Sequence, residues 1–411
     1  MFNKNKIEYT QSQDLFQFLK PMAGGTFKPE VIQNWYRARH YVLHVLHIST
    51  PYDGELAQDR LHFVIKGDSP ILLSIARQIA LIAHFPNFNE KTGDNRTLIT
   101  ILYKKGNDSD DIISKLSKEE YLCNLPKLCK YTLKDDGIEN NKNSHEENCD
   151  SFIDIELELI GFDKDNYSAY PTQSKDIIIE EENIPPYQDS FSNIDLQMAK
   201  RVNMVYHIGS DIDNLPTDDP NTAERYSKAL HYFCYQQSPK DTQKKWEELI
   251  KRNDKGEIDK IALRNMLSNV FCSDCFESRI KAVIDKEKVG LKKKEDITPD
   301  TIKHLVRSQY LFLLGAIKDN IAKLAKCEHA RWNVEKLILG FRPLSDKEHF
   351  QDERLFGNER KDYRKSLKQE GIHIDLCSYS TLRRINPGDM KYDCFLMIAI
   401  PRIIKESLSL T

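Results

Sequence analysis

Two short apolar runs flank a helix that is apolar on nearly every face, and this arrangement constrains the fold most. The first run is LHFVIK at residues 61–66, followed by the turn GDSP and a helix from Ile71 to about Phe85. The second run is TLITILY at residues 97–103. A helix without a polar face has to be buried, and continuous apolar strands are typical of parallel sheets. The sequence therefore predicts a right-handed βαβ unit.

Other segments extend this sheet before the chain becomes helical. We predict helices in KPEVIQNWYRARHYVL and, more weakly, in DDIISKLSKEEYL, and a short strand at CKYTL. SFIDIELELIGF alternates apolar and acidic residues, as a half-exposed strand does. RVNMVYHIG at residues 201–209 is predicted to be the last strand of this part, and residues 163–198 are predicted to be a long excursion.

After residue 210 the periodicity is helical, with helices predicted at Thr222–Gln237 and 258–270. A charged linker then leads to Pro299, which suits the first turn of a helix. The predicted fold class is α/β plus α, with a Rossmann-like parallel sheet followed by helices. The predicted domains are a Rossmann-like α/β domain at 1–210, a helical connector at 211–298 and a helical module at 299–411.

Composition excludes several classes of protein. The 411 residues are 40% apolar and 30% charged, with a net charge of −3, which does not favour a nucleic-acid partner. No apolar run approaches the roughly 20 residues that span a bilayer, and the N-terminus lacks the apolar core of a signal peptide. The odd number of cysteines, nine without regular spacing, indicates reduced thiols and a cytoplasmic location. Cys272 and Cys275 form the one C-x2-C pair, and we expect no metal there.

The GDSP turn is a candidate phosphate site, because it presents a helix N-terminus after a strand. The residues that would bind a phosphate are Gly67, Asp68 and Ser69. The dinucleotide fingerprint is incomplete, however, since two of its three glycines and its ribose-binding acid are missing. We expect no tight binding of NAD at this turn.

Residues 327–341, CEHARWNVEKLILGF, place polar side chains on the inward face of a helix. At ~100° per residue, five of them fall within about 120° of arc: Glu328, His329, Trp332, Glu335 and Lys336. Apolar residues occupy the same arc before and after: Ile317, Ile321, Leu324, Ala325 and Leu339. Because buried polar groups need partners, the cluster is either an internal network or a pocket wall.

The two interpretations assign different roles to the same residues. In a pocket, Trp332 offers a stacking face and Lys336 or Arg331 offers charge for a phosphate. In a structural network, Glu328 pairs with Arg331, and His329 binds a backbone carbonyl near His373 and Tyr379. We predict that the arc faces residues 372–393, with Trp332 and Lys336 bordering a cavity.

LAKCEHARWNVEKLILGF resembles the central helix of the RyR domain, a small helical module named for repeats in the ryanodine receptor. The matching residues include Glu328, His329, Trp332 and Lys336, and the ending Gly340-Phe341. The order continues with IHIDLCSYSTL from 372 and KYDCFLMIAIPRII from 391. Phe341 stands where the family usually has Trp, and Arg342-Pro343 replaces Tyr-Gly. The predicted ligand-binding residues are Glu328, His329, Arg331, Trp332, Glu335, Lys336, His373, Tyr379 and Tyr392.

The N-terminal part is similar to a Rossmann-like, potassium-transport-regulator type of domain, on VIKGDSPILLSIARQIALIAHFPNF and NRTLITIL. Together the resemblances imply a cytoplasmic bacterial sensor of a nucleotide or ADP-ribose-like ligand, acting in signalling or stress defence. The alternatives are a nucleotide-processing enzyme, with Glu328 and His329 as acid and base, and a regulatory or scaffold subunit without a small-molecule ligand. We expect no nucleic-acid partner and no membrane span. Homo-oligomerisation and the identity of any cofactor stay open.

Overall fold

Among the described residues, a parallel sheet forms one part of the protein and helices form most of the rest. The structure is a computed structural model, and it describes residues 29–49, 60–67, 69–104, 131–134, 152–162, 170, 172–186, 193–210, 245–249, 260–292 and 297–409. The described strands are β1 (His62–Lys66), β2 (Thr97–Lys104), β3 (Tyr131–Lys134), β4 (Ile155–Phe162) and β5 (Ile177–Glu180). They form one five-stranded sheet in the order β3-β4-β2-β1-β5, and every pairing is parallel.

Twelve helices are numbered here along the described chain. The first six are α1 (Pro29–Ser49), α2 (Pro70–Ile82), α3 (Asn193–Ser210), α4 (Lys260–Asp274), α5 (Phe276–Val283) and α6 (Pro299–Ser308). The others are α7 (Tyr310–Asp319), α8 (Ile321–Ile338), α9 (Asp346–Arg354), α10 (Gly357–Gln369), α11 (Tyr379–Ile385) and α12 (Pro387–Leu408).

The predicted βαβ unit is confirmed. Strands β1 and β2 pair in parallel, with Val64 opposite Thr100, and α2 connects them. Helix α2 is buried along its described side chains, including the polar residues Arg77 and Gln78. The absence of a polar face in the sequence is therefore explained by packing on the sheet on one side and on α1 and α4 on others.

Two large apolar cores hold these elements together. The first joins α1, α2 and the sheet to Phe271 of α4 and to Val334 and Ile338 of α8. The second joins α3 and α5 to the C-terminal helices, above all α12. The first core thus crosses the predicted boundaries at residues 210 and 298. The division into three domains stays a prediction.

One predicted strand is wrong. Residues 201–209 belong to the helix α3, not to a strand. The segment is rich in residues with high strand propensity, but tertiary packing overrides such local preferences. Here Val202 and Val205 pack into the second core, on one face of a helix that lies against α4 and α12.

The described part of the predicted excursion at 163–198 contains strand β5, a 3-10 helix at Glu181–Asn183 and the start of α3. Strand β5 pairs with β1 at the edge of the sheet, and α3 begins at Asn193. The predicted strands at CKYTL and SFIDIELELIGF are confirmed as β3 and β4, and the helix before residue 50 as α1. The predicted helices at 110–122 and at Thr222–Gln237 lie outside the described residues.

The start of the C-terminal helices follows from their sequence. Thr298 caps α6 by accepting the backbone N–H of Thr301 at 3.1 Å, and Pro299 occupies the first turn. The predicted helical connector segment at 258–270 is confirmed within α4. At the coarse level the structure is the predicted α/β plus α. The Rossmann-like and RyR assignments remain predictions.

Candidate functional site

Helix α8 carries the predicted polar cluster, and its side chains divide into two groups. Those of Glu328, Arg331 and Glu335 are buried against α4 and α5, together with Arg279; we call these four residues the ion network. Those of His329, Trp332 and Lys336 border a cavity; we call these three the cavity face. Both interpretations of the cluster therefore describe part of it.

The ion network satisfies its charges internally. Arg331 donates from Nη1 to Glu335 Oε2 at 2.6 Å and from Nη2 to Glu328 Oε1 at 2.9 Å. Arg279 Nη2 lies 2.7 Å from Glu328 Oε2. Ser268 Oγ donates to Glu335 Oε2 at 2.7 Å. These contacts give each carboxylate a charged and hydrogen-bonded partner, as buried ions require.

The network also fixes the ionisation of its acids. Burial alone would raise the pKa of Glu328, but Arg331 and Arg279 outweigh it and hold that pKa at about 2. Burial likewise opposes ionisation of Glu335, whose pKa is nevertheless lowered by Lys336 and Arg331. A carboxylate locked between two guanidinium groups cannot serve as a general acid or base near neutral pH.

The cavity has a volume of about 460 Å³ and lies between α3 and α4 on one side and the C-terminal helices on the other. Its lining residues are Asn203, Tyr206, Leu249, Asn265, Ser268, Asn269, His329, Trp332, Lys336, Lys368, His373, Asp375, Leu382, Asp389, Tyr392 and Asp393. Ligand pockets typically measure roughly 300–1,000 Å³ and combine apolar surface with a few convergent polar groups. Its size and its mixed lining both fit a small-molecule site.

Trp332 is the centre of the cavity face. Its ring stacks on His329 with centroids 6.0 Å apart and meets the edge of His373 at 4.8 Å. Lys336 Nζ lies 5.4 Å from the Trp332 ring centroid and 3.1 Å from Glu335 Oε1. The indole is thus half-buried among aromatic rings, with an ammonium group beside it.

Both cavity histidines are neutral. Burial lowers the pKa of His329 to about 4, and burial followed by Lys368 lowers that of His373 to about 3. His329 Nε2 donates to the Cys377 carbonyl at 2.9 Å, which leaves Nδ1 as an acceptor. His373 Nδ1 accepts the backbone N–H of Asp375 at 3.3 Å, so its Nε2 carries the proton. His329 therefore offers an acceptor at Nδ1, and His373 offers a donor at Nε2.

Three aspartates complete the charged part of the lining. Burial and the neighbouring Asp375 raise the pKa of Asp389 to about 7, and burial and Glu328 raise that of Asp393 well above its ordinary value. When Asp389 and Asp393 are neutral, Asp375 faces two ammonium groups, Lys336 and Lys368. The lining then carries a surplus of positive charge, which favours an anionic ligand.

The structure brings together most of the predicted site residues. His329, Trp332, Lys336, His373 and Tyr392 line the cavity, as the predicted orientation toward residues 372–393 requires. Glu328, Arg331 and Glu335 belong to the ion network. Tyr379 lies behind the lining, with its ring 5.7 Å from that of His329.

Sequence reasoning missed the amides and acids of the cavity. Asn203, Asn265 and Asn269 come from α3 and α4, far from α8 in sequence. Asn203 is nearly buried, and the structure gives its Nδ2 no hydrogen-bond partner. A signal existed for Asp389 and Asp393, since both lie one turn apart on the helix that begins near the KYD motif.

The candidate phosphate turn has a different environment. Gly67 adopts φ 142°, and a Cβ there would lie 3.2 Å from Glu181 Oε2 and 2.9 Å from Leu72 Cδ1. Ser69 makes no side-chain cap hydrogen bond to α2, and Asp68 lies outside the described residues. The Glu181 carboxylate therefore lies close to Gly67, and its negative charge would oppose a phosphate at this turn. The expectation that NAD does not bind tightly here stays a prediction.

The remaining features considered in the sequence are the C-x2-C pair, metal sites and membrane-spanning helices. Cys272 and Cys275 are buried, and Cys275 Sγ donates to the Phe271 carbonyl at 3.3 Å. Within the described ranges, no group of three His, Cys, Asp or Glu residues is arranged to hold a metal ion. In the same part of the chain, no helix is long and apolar enough to cross a bilayer.

A comparison of the chain with protein-family models, with curated proteins and with solved structures finds no match.

Proposed function

We propose that this protein is a ligand-responsive binding protein whose cavity takes a nucleotide or an ADP-ribose-like molecule. The observation that carries the proposal is Trp332, half-buried at the cavity wall with Lys336 beside its ring. A base stacks on an indole with a favourable free energy of roughly 1–3 kcal/mol. A neighbouring ammonium group offers charge for the attached phosphate.

The rest of the lining supports a nucleotide over an apolar ligand. Asn203, Asn265 and Asn269 supply amide donors and acceptors on one side, and His373 supplies an Nε2–H donor on the other. Lys368 adds a second positive charge. Below pH 7, protonation of Asp389 limits the negative charge that a phosphate would meet, and the raised pKa of Asp393 acts in the same direction.

The position of the cavity supports a response to the ligand. One wall comes from α3 and α4 and the other from residues 368–393, so a bound molecule would contact both at once. A ligand that binds only when both walls are in place stabilises that arrangement by mass action. The resemblance of 299–411 to RyR modules, and of the N-terminal part to potassium-transport-regulator domains, is the basis for proposing that this response acts in bacterial signalling or stress defence.

The ion network disfavours the enzyme alternative. Glu328, the proposed acid, is enclosed by Arg331 and Arg279 and does not line the cavity. His329 uses its Nε2 proton on the Cys377 carbonyl. The two groups therefore do not act as a pair on one substrate.

Calorimetry and thermal shift with AMP, ADP and ADP-ribose test the proposal. Trp332→Ala should weaken binding about 5- to 150-fold, because it removes a stacking surface worth roughly 1–3 kcal/mol. Trp332→Phe keeps a ring and should retain most of the affinity. Phe356→Ala, at an exposed aromatic outside the cavity, should change nothing.

A second measurement uses the protein as purified from cells. Its absorbance ratio and mass spectrometry of the released material would show whether a nucleotide accompanies it. If no nucleotide is found, and none of the three compounds shifts the melting temperature of the parent protein, the binding proposal is wrong. Co-purification with a partner protein under those conditions would favour the scaffold alternative.

A further inference from the structure

We infer that the Asp375–Asp389 pair is the subsite for the vicinal hydroxyls of a sugar, held in the same cavity as the phosphate-binding lysines. This inference rests on the proposed function and specifies the ligand class as a ribonucleotide with free 2′- and 3′-hydroxyls. Both aspartates lie outside α8, and the polar pattern of that helix did not predict them.

The pair is held together by an amide. Asn386 Nδ2 donates to Asp375 Oδ1 at 3.0 Å and to Asp389 Oδ2 at 2.6 Å, and the two carboxyls are hydrogen-bonded to each other. Both aspartates line the cavity. A carboxyl and a carboxylate that share one proton still have free lone pairs on their oxygens, so they can accept two further hydrogen bonds.

The charges around the pair decide what it accepts. Lys368 and Arg364 lie within electrostatic range of Asp389, and Asp393 faces it from the next turn of α12. On the Asp375 side, His373 is neutral. A cationic amine entering this cavity would meet Lys336 and Lys368, whereas a neutral diol meets no such repulsion. The described residues also hold no metal-binding group at the pair.

The proton shared by Asp375 and Asp389 favours phosphate binding in the same cavity. With Asp389 protonated, the lining keeps its positive surplus, and the diol binds without bringing a second carboxylate charge toward the phosphate. The pKa of Asp389 is about 7, so this form is present below that pH and is lost as the pH rises above it. Affinity should therefore fall between pH 7 and 9, by at most about tenfold per pH unit.

The first test compares ADP with 2′,3′-dideoxy-ADP by calorimetry at pH 6.5. The loss of two hydrogen bonds, one of them to a carboxylate, should weaken binding by about 10- to 100-fold. Asp375→Asn should remove most of this difference, because an amide oxygen accepts a hydrogen bond more weakly than a carboxylate does. Denaturant unfolding of the variant without ligand shows separately that it is folded.

Asp389→Asn is the matched control, because its amide can donate to Asp375 as the protonated acid does. It should keep the preference for ADP and lose the decline above pH 7. Parent and variant are compared with the same ligand, so the titration of the ADP phosphate cancels. A pH profile that is equal in both would overturn the role of the shared proton.

Equal affinity for ADP and the dideoxy compound would show that the diol subsite is wrong while the proposed function stands. If neither compound binds, the diol subsite is wrong, and ADP-ribose in the same calorimeter decides whether the proposed function falls with it.

Discussion

Helix α8 carries the whole cavity face and every ion-network residue except Arg279, and adjacent residues on it have opposite environments. Glu328 is enclosed between two guanidinium groups, whereas His329, the next residue, borders a cavity and stays neutral. Side chains spaced three and four residues apart meet on a helix, so Glu328, Arg331 and Glu335 complete one another. The three residues of the cavity face form no such set of mutual ion pairs. Polar residues on a buried helix face thus mark a candidate site only where they also border a cavity.

The largest expected effect breaks the ion network. Arg331→Met leaves Glu328 and Glu335 without their shared partner, and removing one member of a buried ion pair typically costs about 3–5 kcal/mol of unfolding free energy. Denaturant unfolding measures this loss. Lys303→Ala, which removes a more exposed pair with Asp300, should cost less than about 1 kcal/mol. Equal losses in the two variants would mean that the network contributes no more than a surface pair.

An intermediate effect separates the two groups by pH. The folded-state pKa of His329 is lowered from 6.5 to about 4, so its contribution is fully present above pH 6.5. It is lost as the pH falls toward 4, because the unfolded chain takes up the proton first. The loss approaches about 3 kcal/mol. Glu328, with its pKa lowered from 4.5 to about 2, contributes in the same direction but only below pH 4.5.

Between pH 7 and 4.5 the unfolding free energy also depends on His373, whose lowered pKa acts in the same direction, and on Asp389, whose raised pKa acts in the opposite direction. A variant of His329 isolates the contribution of that one residue. His329→Gln keeps a donor for the Cys377 carbonyl and removes the titration. Over this pH range, the unfolding free energy of the variant should therefore change less steeply with pH than that of the parent. A variant with the parent's slope would show that other groups cause it.

The smallest expected effect concerns Lys336, which joins the two groups through its contact with Glu335. Lys336→Met should lower the unfolding free energy by less than Arg331→Met does, because Glu335 retains Arg331 and Ser268 as partners. Nucleotide affinity should fall by a larger factor than stability. A large loss of stability, seen in thermal unfolding without ligand, would place Lys336 in the network instead.

Local sequence predicted what depends on local periodicity. The buried helix α2 between two parallel strands followed from the absence of a polar face, and the inward arc of α8 followed from its apolar continuation on both sides. The strand predicted at 201–209 failed for the converse reason. Its β-branched and aromatic residues have strand propensity, but contacts with α4 and α12 determine the conformation.

The partners across the fold could not be predicted. Arg279 reaches Glu328 from α5, and no spacing in the sequence indicates that contact. Asn203 and Asp389 meet at one cavity from helices almost 190 residues apart. Strand β5 was missed because Ile177–Glu180 is a short run inside a polar segment, and only its pairing with β1 identifies it.

The buried cysteines have a practical consequence for following motion in this protein. Burial raises the pKa of Cys275 and of Cys394 to about 12, and the thiolate is the form that reacts with alkylating reagents. Cys275 belongs to the first core and Cys394 to the second. Their rates of alkylation, measured separately for each cysteine-containing peptide, would report how often each core opens. Equal rates would indicate that the two cores open together as a single cooperative unit. A nucleotide bound in the cavity should slow the alkylation of both cysteines.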